Sequence, residues 1–107
     1  MAWRYVAYAR GVTPELRKDT EAAARTVDDI AKPFPDHPGI QRERAGVWRL
    51  TAFAWQQVGD LEKAWTAVLT SLAICERFQH HPEADQFTFT EQHARELLSE
   101  LDNDTTK

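Results

Sequence analysis

The 107-residue sequence predicts an all-α fold of stacked antiparallel helical hairpins. Three observations carry this reading. Apolar residues recur at spacings of three and four along residues 16–30, 61–78 and 94–101, which is the period of one helix face. Proline, glycine and short capping residues punctuate the chain between those stretches. Period-two alternation is confined to Gln86-Phe87-Thr88-Phe89-Thr90, too short and isolated to stand as a sheet.

The elements follow in order. Thr13-Pro14-Glu15 starts a helix: Thr13 caps, Pro14 suits the first turn, and Glu15 favours the positive helix end. Leu16, Thr20, Ala23, Val27 and Ile30 form its apolar stripe. Pro33 and Pro35 stop it near Lys32. A second helix begins between Pro38 and Gln41 and reaches Val58, where Gly59 suits a left-handed terminus and Asp60 caps the next helix. That third helix carries two neighbouring stripes. Leu61, Ala64, Trp65, Val68, Leu72 and Cys75 form one, and Ala67, Ser71, Ile74 and Phe78 the other. A face that wide needs two neighbours to cover it. His80-His81-Pro82 ends the helix. A closing helix carries Ala94, Leu97, Leu98 and Leu101, and starts either at a Thr88/Glu91 capping box or as early as Glu83. Residues 1–102 read as one domain and 103–107 as a polar, frayed tail.

Composition narrows the function classes. A hydrophobic content of 42% and a charged content of 28% suit a folded globule rather than a disordered chain. The net charge is −4, and Arg and Lys alternate with acids, as in Gln41-Arg42-Glu43-Arg44. That pattern reads as a solvated helix face, not the basic stripe of a nucleic-acid binder. The single cysteine, Cys75, lies in an apolar run and reads as a core residue in a reducing compartment. No apolar run approaches the length of a membrane span, and Met1-Ala2-Trp3-Arg4-Tyr5 lacks the pattern of a signal peptide. The expected location is cytoplasmic.

An internal repeat links two parts of the chain. Trp3-Arg4-Tyr5-Val6-Ala7-Tyr8-Ala9 aligns with Trp48-Arg49-Leu50-Thr51-Ala52-Phe53-Ala54, 45 positions later. The same offset pairs Leu16 with Leu61, Lys18 with Lys63 and Val27 with Leu72. In the second copy Trp48, Thr51, Ala52 and Trp55, then Gly59, then Ala64 and Val68, resemble a tetratricopeptide repeat. Thr51 stands where that family has leucine, Val68 where it has an aromatic, and no closing proline stands near Glu76. The spacing is also longer than the family's usual repeat of about 34 residues. The resemblance implies two tetratricopeptide-like repeats plus a C-terminal closing helix, and a non-catalytic role in binding a protein or peptide. It implies a concave face on the first helices, lined by Arg49, Phe53 and Gln56 in the second copy and by Arg4 and Tyr8 in the first. Arginine beside an aromatic suits an acidic or carboxylate-bearing peptide, because the guanidinium can grip a carboxylate with two hydrogen bonds.

Two other readings stay open. Glu76 and His80 share a helix face, and His81 follows, so this cluster is the candidate for a small helical enzyme or metal protein. No second ligand pair is placed by spacing, and neither a metal nor a cofactor is expected. The third reading is an obligate subunit. Helical repeats need about three units to bury a continuous core. The end near Ala23, Ala24, Val27 and Ile30 has no evident cap, which predicts a homodimer or a partner there.

Overall fold

The computed structural model describes the backbone of residues 14–105 and the side chains of residues 20–103. Its helices are α1 (Pro14–Ala31), α2 (Pro38–Gln57), α3 (Leu61–Arg77) and α4 (Thr88–Thr105), with a 3-10 turn over Ala84–Phe87. The described residues contain no strand. The Trp3–Ala9 copy of the repeat, with Arg4 and Tyr8, lies outside them, as does Thr13.

The α1–α2 loop is tied down from below. Gln41 is buried, and its Nε2 donates to the carbonyls of Phe34 at 3.0 Å and Ala31 at 3.4 Å. A buried amide needs such partners, and here it adds a second bond to carbonyls that also accept from the Phe34 and His37 N–H groups. Arg77 of α3 donates to the Pro35 carbonyl at 3.3 Å. His37 caps α2: its Nδ1 accepts from the Ile40 N–H at 3.2 Å, with Pro38 in the first turn.

The α2–α3 reversal follows from Gly59. Its φ of 83° places it in the left-handed region, where a side chain is strained. The Gly59 N–H donates to Gln56 O and the Asp60 N–H to Trp55 O, both at 3.0 Å, the paired bonds of a Schellman terminus. Asp60 then caps α3 by accepting from the Lys63 N–H at 3.1 Å.

The helices stack in chain order. α1 packs on α2, α2 pairs with α3, and α4 lies against both α2 and α3. Both stripes of α3 are therefore used: Ala64, Ala67, Val68, Ser71, Leu72, Ile74, Cys75 and Phe78 are all buried. Ala52 and Ala64, fully buried and in one cluster, let α2 and α3 approach closely. Ala94, Leu97 and Leu101 of α4 close that cluster. A second cluster joins Ala45, Ile74, Cys75, Phe78 and Phe87, with Phe78 and Phe87 stacked at 4.7 Å. Trp48 is half-buried and touches both clusters.

Three expectations change. Among the described side chains of α1, Ala24 and Ala31 are buried, while Ala23 and Ile30 face outward, Ile30 at 58% exposure. Thr88 already has helical angles (φ −57°, ψ −47°), so the 3-10 turn feeds directly into α4 and no capping box breaks the chain there. Residues 103–105, expected in a frayed tail, continue α4.

Candidate functional site

Arg49, Phe53 and Gln56 recur at spacings of four and three on α2, so the helix sets them on one face. That face meets α4. Together with His93, Glu96, Leu97 and Glu100, Arg49 and Phe53 line a crevice of about 20 Å³, room for little more than one water. The resemblance implied a concave binding face on the first helices, and α4 packs against part of that face on α2. Phe53 is only 7% exposed and belongs to the core. The Gln56 Nε2 donates to Glu100 Oε2 at 3.2 Å, tying α2 to α4.

What stays accessible is the rim. Arg49 is half-buried, with its guanidinium 5.8 Å from the centroid of the Phe89 ring. Phe89 is 64% exposed. Its other neighbour is His93, whose ring centroid lies 4.1 Å away and whose Nδ1–H donates to the Phe89 carbonyl at 2.8 Å. An exposed aromatic beside an arginine is the kind of pair that anchors protein interfaces. Sequence reasoning did not single out Phe89 as a site residue. A partial signal was available: Phe89 falls off the stripe of Ala94, Leu97 and Leu101, so it does not belong to the face those residues bury.

Along the rim, charge is divided. Arg49 marks one end, and Glu96 and Glu100 follow on α4. Arg4 and Tyr8 are the remaining predicted site residues and lie outside the described residues.

The histidine cluster is not brought together. His81 Nδ1 accepts from the Glu83 N–H at 3.0 Å and its ring packs edge-on to Phe78, while Glu76 and His80 face solvent. His37 is exposed and serves as the α2 cap. Among the described residues no group of three His, Cys, Asp or Glu side chains is close enough to hold a metal ion. Cys75 is buried, and burial, with the nearby Glu91 carboxylate, pushes its thiol up to about 11. A thiol in that setting is a poor nucleophile. Among the described residues no helix is long and apolar enough to cross a membrane.

No protein-family model, curated protein or solved structure matches the chain.

Proposed function

We propose that the chain is a non-catalytic, tetratricopeptide-like module that binds a peptide or protein segment along the α2–α4 rim. The observation that carries this reading is the Arg49–Phe89–His93 array: a charged fork beside an exposed aromatic at the junction of two stacked helices. Arginine and aromatic side chains are the residues that most often anchor protein interfaces. The stacking order of α1 to α4, each helix packed on the one before it, supports the repeat-like architecture.

The division of charge sets the ligand. A carboxylate fits only the Arg49 end, because Glu96 and Glu100 repel it further along α4. The partner segment therefore carries one acidic group, or a C-terminal carboxylate, followed by apolar or neutral residues against Phe89. Phe53 supports the rim from beneath rather than touching the ligand.

The test is a selection from a displayed peptide library, followed by calorimetry on the selected peptide. Arg49→Ala should weaken binding about tenfold or more, since a hydrogen bond to a charged group contributes roughly 1.5–3 kcal/mol. Arg49→Lys should also weaken it, because lysine keeps the charge and loses the fork. Both variants should melt within a few degrees of the wild type. Unchanged affinity in both would remove Arg49 from the site.

A further inference from the structure

A second cleft, of about 180 Å³, lies where α1 and α3 flank α2, and its lining differs in kind. Two indoles contribute to it, Trp48 and Trp55, seven residues apart on α2. The Trp48 ring is fixed by its N–H, which donates to Asp28 Oδ1 at 2.9 Å, and the Trp55 ring is fixed by burial. Two carboxylates stand at the sides, Glu21 on α1 and Glu62 on α3. Glu21 accepts a long bond from Arg25 at 3.5 Å. The Lys63 ammonium sits over the Trp55 ring, 4.3 Å from its centroid.

These groups favour one ligand chemistry. The face of an indole carries negative quadrupole charge and attracts cations, and a nearby carboxylate adds to that attraction. The chain itself supplies a cation there, Lys63, but a primary ammonium is compact and strongly hydrated, so it gains least from an aromatic wall. A quaternary ammonium sheds water more easily and brings methyl groups that cover the ring faces. The space suits such a head group, being several times the roughly 30 Å³ share of a liquid water molecule. We propose that this cleft binds a quaternary ammonium group, with Trp48 and the Trp55 face that Lys63 now covers as its aromatic walls, Glu21 and Glu62 as its counter-charges, and Lys63 as the resident cation that the ligand displaces to bare the otherwise buried Trp55 ring. The site does not depend on the reading of the α2–α4 rim.

The experiment is a titration of the isotope-labelled full chain, read at the indole N–H signals of Trp48 and Trp55 in nitrogen–proton spectra at constant ionic strength. The probes are choline, a capped trimethyllysine, and the uncharged tert-butyl analogue of choline. Both cations should shift the two indole signals saturably, and the uncharged analogue should bind at least about tenfold more weakly. Glu62→Gln should weaken binding about threefold, the scale of an exposed ion pair. Lys63→Ala should tighten it by removing the competitor. Both substitutions are at exposed positions, and unchanged melting confirms that the fold is intact. Tighter binding of trimethyllysine assigns the site to a modified partner chain, and tighter binding of choline to a free small molecule. Two results overturn the proposal: no saturable shift at either indole with either cation, or an equal response to the uncharged analogue.

Discussion

Asp28 tests the packing of α1 on α2 more sharply than any apolar residue. It sits in the last turn of α1, where helix carbonyls make a carboxylate unfavourable by a few tenths of a kcal/mol. The tertiary structure offsets this. Asp28 Oδ1 accepts from Arg44 Nε at 2.6 Å and from Trp48 Nε1 at 2.9 Å. The ion pair is partly exposed, with side-chain exposures of 26% for Arg44 and 33% for Asp28, so it counts for only about 1 kcal/mol. The Trp48 N–H loses a charged acceptor, which costs about 1.5 kcal/mol. After the helix-end gain is subtracted, Asp28→Ala should destabilise the fold by about 2 kcal/mol and lower the melting temperature by roughly 8–16 °C. Urea denaturation followed by circular dichroism gives the free energy. The neighbouring Asp29 is an internal control: it is exposed at the same helix end, so Asp29→Ala should be neutral or slightly stabilising. A double-mutant cycle of Asp28→Ala with Trp48→Phe should show about 1 kcal/mol of coupling. Additive effects in that cycle, or an Asp28→Ala cost within about 0.5 kcal/mol, would refute the reasoning.

Two further outcomes follow from single residues. Gly59→Ala forces a side chain into φ 83° with open space around it, so the cost is purely conformational, about 1 kcal/mol, with helix content unchanged by circular dichroism. Cys75 has a thiol pKa raised from 9.0 to about 11 in the folded chain, chiefly by burial. The folded state therefore holds the thiol proton more tightly than the unfolded state, and this contribution is complete below pH 9 and lost as pH rises from 9 to 11. Stability measured across that window should fall more steeply in the wild type than in Cys75→Ala, and a thiol reagent near pH 8 should react only after denaturant is added.

The sequence was legible wherever local chemistry decides the structure. Gly59 and Asp60 specify the α2–α3 reversal by conformation and capping, without help from the rest of the fold. The double stripe of α3 required two neighbours, and α2 and α4 are those neighbours. It was less legible where a distant partner decides. Asp28 is a poor choice for its helix end until Arg44 and Trp48 are placed beside it. Gln41 reads as a surface amide until the loop carbonyls of Ala31 and Phe34 close over it. The site divides in the same way. The tetratricopeptide resemblance grouped Arg49, Phe53 and Gln56, but only the seating of α4 determines that Phe53 is covered and that Phe89 stands exposed beside Arg49.

The α2–α4 rim is the surface proposed to take a peptide. The most direct measurement is amide and side-chain shift mapping of the labelled chain with a selected carboxylate-bearing peptide. Binding at the rim predicts the largest changes on Arg49, Phe89 and His93, with smaller ones at Gln56 and Glu100. Changes concentrated on Trp65, Leu98 and Asp102, which line the separate cleft between α3 and α4, would contradict it.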